Sequence, residues 1–249
     1  MRCCCNAQRD ATVNRPVTSK KVKNMNHDVN PYLNQMTDKD IENQVHRGFV
    51  GGLWDTLGQL QFDFITRQGL QPSDKLLDMG CGCFRGGIHF IRYLDNQHYY
   101  GLDINQSLIN AGNLELAQAG ISDKQPNTLV SDCFDATPFN QTFKFILSIS
   151  LFTHLNFNLV LLCLKQIKRV LDKDGRYFST VFLAPDNGYS GQLTFANGEI
   201  TTHYLQDPYH ISMAEISALA KLAGLKVEQI VEGWNHPRQQ SMLVFTHHN

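Results

Sequence analysis

The segment Lys75-Leu76-Leu77-Asp78-Met79-Gly80-Cys81-Gly82 sets a carboxylate at the end of an apolar run, with two glycines just beyond it. Glycine lacks a Cβ and tolerates φ > 0, so this turn can bend tightly and bring backbone close to a ligand. A strand, a glycine turn and a helix in that order bind a nucleoside-bearing cofactor at the strand's C-terminal end. Two more acids stand at comparable places: Asp103 closes Tyr99-Tyr100-Gly101-Leu102, and Asp132 follows Thr128-Leu129-Val130-Ser131. A carboxylate at Asp78 would oppose a diphosphate but suits an ammonium group. Asp103 suits a ribose diol, and Asp132 can accept from an adenine amino group. Arg85 stands where G-x-G-x-x-G needs its third glycine, so the dinucleotide fingerprint is broken. These residues suggest an adenosine with a positively charged amino-acid appendage and no phosphate. Cys81 and Cys83 lack zinc-knuckle spacing, and no partnering Cys/His pair follows. They read as small side chains filling the turn, with no metal site implied.

The elements that must position these acids alternate along the chain. Leu53, Leu57, Leu60 and Phe64 repeat at helical spacing, predicting a helix over 53–68, with Gly69 as its C′ residue and Pro72 blocking its continuation. A strand then starts near Leu76. Helices are expected over 86–94, 107–119 and 156–171, and strands over 99–103, 128–130, 143–150 and 176–183. Strands alternating with helices imply a parallel sheet covered on both faces. Ser212-x-x-Glu215 is a capping-box signature opening a helix to Ala223. Strands follow over 225–231 and 241–245, too close in sequence for a parallel crossover, so the last should run antiparallel. The expected fold is α/β and doubly wound, with a mostly parallel seven-stranded sheet and an antiparallel last strand.

Residues 1–40 read as a basic, poorly ordered tail, carrying Arg2, Arg9, Arg15, Lys20, Lys21 and Lys23 against Asp10; residues 41–249 read as one domain. Within it lies an insertion over 184–210, where Ala196-Asn197-Gly198-Glu199 separates two alternating segments as a hairpin would. A hydrophobic content of 42% and a charged content of 18% support a globular core. The net charge of −1 does not favour nucleic acid as a partner. No apolar run approaches the roughly 20 residues that span a bilayer, and the start of the chain lacks the apolar h-region of a secretory signal. Seven cysteines, an odd count with no evident framework, predict a reduced, cytoplasmic protein.

Over roughly residues 45–245 the sequence resembles the class I S-adenosylmethionine-dependent methyltransferases. The likeness rests on Leu76-Leu77-Asp78-Met79-Gly80-Cys81-Gly82, on Gly101-Leu102-Asp103 and on Ser131-Asp132-Cys133. It extends to Ser148-Ile149-Ser150-Leu151-Phe152-Thr153-His154-Leu155 and to Arg169-Val170-Leu171 with Gly175. The resemblance implies that Gly80 and Gly82 pass beside the cofactor's methionine part and that Asp78 lies near its amino group. It implies that Asp103 holds the ribose, that Asp132 and the Cys133 amide meet the adenine, and that Ser150 and Leu151 flank the sulfonium. Phe84 replaces a third glycine of the motif, and Lys144 stands where an acid is common; Arg85 could reach the cofactor carboxylate. The implied reaction is methyl transfer to a small-molecule or sugar-containing acceptor. His154 and His210 are candidate bases, needed if the acceptor must lose a proton. Tyr189, Tyr204, Tyr209 and Trp234 are candidate pocket walls, although packing is at least as good a reading for each. A nicotinamide-dependent oxidoreductase and a non-catalytic S-adenosylmethionine-binding module are the alternatives.

Overall fold

The apolar runs that precede each acid form strands. The structure is a computed structural model and describes residues 31–185, 189–230 and 232–248. Most of the stretch read as a basic tail, with Cys3, Cys4 and Cys5, lies outside the described residues. Its last part does not: Pro31–Leu33 forms a 3₁₀ turn, followed by α1 (Asp38–Glu42) and α2 (Val45–Phe49). The chain continues through α3 (Trp54–Arg67), β1 (Leu76–Met79), α4 (Gly87–Tyr93), β2 (Tyr99–Asp103), α5 (Gln106–Gln118), β3 (Asn127–Val130) and β4 (Phe143–Ser148). Then come α6 (Phe157–Val170), β5 (Leu171–Ala184), the hairpin β6 (Leu193–Phe195) and β7 (Ile200–Thr202), β8 (His210–Ser212), α7 (Met213–Ala223), β9 (Leu225–Ile230) and β10 (Ser241–His247).

The sheet order is β3-β2-β1-β4-β5-β10-β9, with β10 antiparallel to both of its neighbours. Successive strand residues face opposite sides. Leu76 therefore joins Phe64, Ile65, Phe90 and Leu116, from α3, α4 and α5, under one face. Leu77 joins Val160, Leu164, Ile167, Ile216 and Ala220, from α6 and α7, under the other. The helix ends are defined locally: Asn156 Oδ1 accepts from the Leu159 amide at 3.1 Å, and Ser212 and Glu215 close the expected capping box.

The expected seven strands gain an eighth. β5 overruns β4, whose last pair is Ser148↔Ser179, and the ladder groups left beyond it are taken by β8 in parallel pairing at Phe182↔His210. β5 also begins earlier than expected, at Leu171, with a register shift between Phe143 and Phe145. The hairpin turns at Asn197, in the left-handed region at φ 56°. The Ala196 amide donates to Gln239 Oε1 at 2.6 Å, tying the hairpin to the loop between β9 and β10. Strand order reverses between β1 and β4, and a ligand crevice opens outside the strand C-termini at such a point.

Candidate functional site

At that crevice lies a cleft enclosing about 1130 Å³ of space, its mouth included. Asp78, Asp103 and Asp132 all line it. The first two are buried, the third exposed. Asp103 is locked in place: Oδ2 accepts from the Gly82 amide at 2.8 Å and Oδ1 from the Asn105 amide at 2.9 Å. Burial pushes its carboxyl above the usual range, and those backbone donors pull the other way. Asp78 Oδ2 accepts from the Tyr99 hydroxyl at 2.7 Å. Burial pushes the Asp78 carboxyl up to about 7, against the Tyr99 hydrogen bond that lowers it.

The turn after β1 has three left-handed residues: Gly80 at φ 76°, Gly82 at φ 52° and Phe84 at φ 64°. Gly80 needs its missing side chain for space as well, since a Cβ there would lie 3.1 Å from Leu151 Cδ1. Four of the turn's amides are used inside the protein. Those of Gly80 and Cys81 donate to the Leu102 carbonyl, that of Gly82 to Asp103, and that of Phe84 to the Cys81 carbonyl. A diphosphate held on a glycine turn needs such amides pointing at it. Their use here, with a carboxylate alongside, argues against the dinucleotide alternative. Phe84 takes the strained conformation usually left to glycine because its ring is buried edge-on to Tyr99, at 5.8 Å. Gly112 leaves room for that ring, as a Cβ there would meet it at 2.4 Å. Lys144 pairs with Asp74 at 3.8 Å and does not line the cleft. Cys81 packs against Gly101, whose added Cβ would meet its Sγ at 2.9 Å. Burial pushes the Cys83 thiol up to about 12 and the Cys81 thiol well above its ordinary value, so neither is an activated nucleophile.

Arg85 lines the cleft although it is buried, and it faces no carboxylate at ion-pair distance among the described residues. Its Nη1 donates to the carbonyls of Val50 at 2.7 Å and Gly52 at 3.1 Å, while its Nε has no acceptor. Burial lowers its pKa to about 10, which leaves it a cation at neutral pH. Gln61, also buried in the wall, makes no side-chain hydrogen bond among the described residues; its amide rests on Gly86, where a Cβ would lie 2.0 Å from Oε1. The cleft lining thus combines the Asp78 carboxylate with the Arg85 guanidinium and the Gln61 amide. That set matches a zwitterion, a free amine and a carboxylate on one carbon, and it fits the amino-acid end of S-adenosylmethionine. The cleft's other acids, Asp103 and Asp132, fit its nucleoside end.

On the far side, Ser150 lies in the left-handed region at φ 62°. Its amide donates to Thr180 Oγ1 at 2.7 Å and its hydroxyl to Gln240 Oε1 at 3.0 Å. His154 lines the cleft, with Nδ1 2.7 Å from Asp207 Oδ1 and Nε2 3.2 Å from the Tyr32 hydroxyl. The segment bearing Tyr32 forms a strap fastened to the start of α5. Asn105 Nδ2 donates to the carbonyls of Tyr32 at 2.8 Å and Asn34 at 2.9 Å, and the Met36 amide donates to Ser107 Oγ at 2.8 Å.

Two expected site residues stand elsewhere. His210 is buried under the hairpin, with Nδ1 2.8 Å from Thr202 Oγ1 and Nε2 3.1 Å from the Tyr189 carbonyl, outside this cleft. The pairing of β8 with β5 carries it there. Cys133 is exposed and does not line the cleft; its amide donates to Ser131 Oγ at 3.4 Å. Tyr189, Tyr204, Tyr209 and Trp234 do not line the cleft either. The Trp234 indole donates to the Gln240 carbonyl at 2.9 Å and the Tyr204 hydroxyl to Glu215 at 2.6 Å. Sequence reasoning missed Tyr32, Gln61, Asn105 and Asp207. Gln61 had a signal, a polar residue inside the apolar stripe of α3.

Comparisons with known proteins point the same way. Residues 76–175 match the methyltransferase domain family. The chain is 28% identical over 132 residues to sphingolipid C9-methyltransferase A of Emericella nidulans. That alignment covers 50% of this chain and 25% of the relative, so the chain spans about a quarter of the relative's length. The fold is shared with a methyltransferase of Clostridium acetobutylicum, described as S-adenosylmethionine-dependent: TM-score 0.61, 10% identity, covering 86% of this chain and 100% of that one. It is shared also with the CcbJ methyltransferase of Streptomyces caelestis, at TM-score 0.60 and 11% identity over 77% of this chain and 90% of that one. Magnesium protoporphyrin IX methyltransferase of Synechocystis, solved with S-adenosylmethionine bound, aligns at TM-score 0.56 and 11% identity over 88% of each chain. The sheet order, the three strand-tip acids and the matched segment agree: residues 76–175 match a methyltransferase domain, and the fold is that of the solved S-adenosylmethionine-dependent methyltransferases.

Proposed function

We propose that this chain transfers the methyl group of S-adenosylmethionine to a small-molecule or sugar-containing acceptor. The observation that carries the reading is the convergence of Asp78, Asp103 and Asp132, from the ends of three adjacent strands, on one cleft. Asp78 would hold the cofactor's amino group, and Arg85 with Gln61 its carboxylate. Asp103 would hold the ribose hydroxyls and Asp132 the adenine amino group. Gly80 and Gly82 give the methionine part room, and Ser150 with Leu151 borders the sulfonium. Bound there, the cofactor supplies an already activated methyl group. The chain's own work is alignment and exclusion of water. The Tyr32 strap and the apolar walls Leu151, Leu155 and Leu159 serve the second task. His154 is the base that this geometry favours, because one of its nitrogens meets a carboxylate and the other meets the hydroxyl of Tyr32, a residue that lines the cleft.

The acceptor assignment draws on the compact 184–210 insertion and on the absence of a net basic charge. Cys81, Cys83, Cys133 and Cys163 are free thiols, which fits a reducing compartment such as the cytoplasm. Among the described residues no helix is long and apolar enough to cross a membrane. Titration calorimetry with S-adenosylmethionine and S-adenosylhomocysteine tests the reading. Saturable heat with both is expected; folded protein that binds neither rules it out.

A further inference from the structure

His154 joins three segments that are distant in sequence. It stands on the 3₁₀ turn after β4, Asp207 comes from the insertion and Tyr32 from the strap. A carboxylate only accepts, so the hydrogen of a neutral His154 sits on Nδ1, facing Asp207 at 2.7 Å. That leaves Nε2 bare. The group placed against it, at 3.2 Å, is an O–H, the phenol of Tyr32. The phenol ring packs edge-on to Phe49 at 5.4 Å and to His154 at 4.9 Å, and Tyr32 itself lines the cleft. The arrangement is a histidine fixed in one tautomer, with its basic nitrogen presented to a hydroxyl inside the cleft.

We propose that the acceptor is a hydroxyl compound, that His154 positioned by Asp207 takes its proton, and that Tyr32 marks the place where the acceptor's O–H enters. This rests on the methyltransferase reading above and narrows it. The acceptor's O–H proton passes to His154 Nε2, the oxygen's freed electron pair forms the bond to the methyl carbon, and the carbon–sulfur bond breaks with its pair left on sulfur. The imidazolium formed is stabilised by the Asp207 carboxylate. A neutral amine attacks with a lone pair it already has and sheds its proton afterwards, so it gains little from such a base. An alcohol or phenol must lose its proton as it attacks, and there a positioned base contributes most. The apolar side chains of Leu151, Leu155 and Leu159 line the same cleft, leaving His154 as the proton acceptor on this side.

The test uses the full chain and two variants, Asp207→Asn and His154→Gln. The second variant covers the case in which the first fails to fold, as judged by thermal melting. Nitrogen-15 spectra of histidine-labelled wild type should show His154 protonated at Nδ1 and bare at Nε2, and Asp207→Asn should lose that single tautomer. Isotope-labelled methyl transfer is then followed to catechol, methyl glucoside and benzylamine. Label is expected on oxygen, and kcat should fall by about 100-fold in either variant with KM little changed. Calorimetry should show S-adenosylhomocysteine binding within about twofold of wild type in both variants. A wild-type His154 protonated at Nε2 overturns the proposal. So does label on benzylamine nitrogen at rates that Asp207→Asn leaves intact. If wild type binds no S-adenosylhomocysteine, the methyltransferase reading itself fails, an outcome separate from either of these.

Discussion

The two halves of the cleft are assembled in different ways. The half lined by Asp78, Gly80, Gly82 and Asp103 comes from contiguous strand, tip and turn, and its cross-link from Gly82 to Asp103 spans 21 residues. The half around His154 draws Tyr32 from 122 residues away and Asp207 from 53, while Ser150 reaches Gln240 across 90. The first half is held by backbone amides on fixed strands. The second is held by side chains from a strap, an insertion and a loop. A site that must recognise one invariant cofactor can be built locally and rigidly. A site for an acceptor is built from segments that can vary without disturbing the sheet.

On the single scale of affinity for S-adenosylhomocysteine, the largest expected effect lies in the local half. Asp103→Ala removes the proposed ribose contact and leaves the Gly82 and Asn105 amides without their acceptor. Affinity should weaken by about 100-fold or more, read by calorimetry. A drop of less than about fivefold would mean that the ribose is held elsewhere, and the contrast between the halves would blur.

Next comes pH. The Asp78 carboxyl sits near 7 in the folded chain against an ordinary value of 3.8. An ammonium group needs the ionised carboxylate, so affinity should rise with pH through about 7 and then level. At pH 6 it should be about tenfold below the plateau. Stability runs the other way. The folded chain binds this proton more tightly than the unfolded chain does. Its contribution is therefore complete below about 3.8 and is lost as pH rises toward about 7. Asp78→Asn should flatten both profiles; an affinity profile that still bends near 7 in this variant assigns the titration to another group.

Phe84 separates the fold of the turn from its ligand contacts. Phe84→Gly relieves a left-handed non-glycine residue, worth about 1–2 kcal/mol. It also deletes a fully buried ring, which costs about 3–5 kcal/mol. The cavity wins, and denaturant unfolding should show a net loss of about 1–4 kcal/mol. Since Phe84 does not line the cleft, affinity should stay within about threefold. A large loss of affinity in protein that remains folded would place the ring's packing among the determinants of the cofactor half.

What could be read from the sequence follows the same division. The strands that carry Asp78 and Asp103, the glycine turn and the capping box at Ser212 announce themselves within a few residues, and each stands within a residue of where the pattern set it. Phe84 stands where the motif carries a glycine, and the sequence does not say where its ring goes. The structure has the ring on Tyr99, a choice made by the gap at Gly112, which no local pattern reveals. Tyr32 lay in a stretch whose composition reads as tail, yet Asn105 and Ser107 fasten that stretch to the start of α5. Asp207 has no periodicity to mark it, because its role depends on the fold returning the insertion to the turn after β4. Arg85 was expected to reach a carboxylate. It lines the cleft with Nε unspent while also holding the Val50 and Gly52 carbonyls, and only packing could disclose that second duty.

His210 is the sharpest control, because sequence position alone ranked it with His154. His154 stands on the turn after β4 and His210 opens β8 at the end of the insertion, and their ring nitrogens are committed differently. His210 Nε2 faces the Tyr189 carbonyl, which can only accept, so Nε2 carries the hydrogen and Nδ1 must accept from the Thr202 hydroxyl. Both partners of His210 lie outside the cleft, so neither nitrogen is presented to a substrate there, whereas the hydroxyl on His154 Nε2 belongs to Tyr32, which lines the cleft. His210→Ala should therefore cost about 1–3 kcal/mol in denaturant unfolding, from the unpaired Thr202 and Tyr189 groups and the lost packing. It should leave affinity for S-adenosylhomocysteine and, once an acceptor is in hand, turnover at wild-type levels. Loss of turnover in folded His210→Ala, with cofactor affinity kept, would move the proton acceptor to the hairpin. His154, Asp207 and Tyr32 would then be left as a structural clasp on the strap.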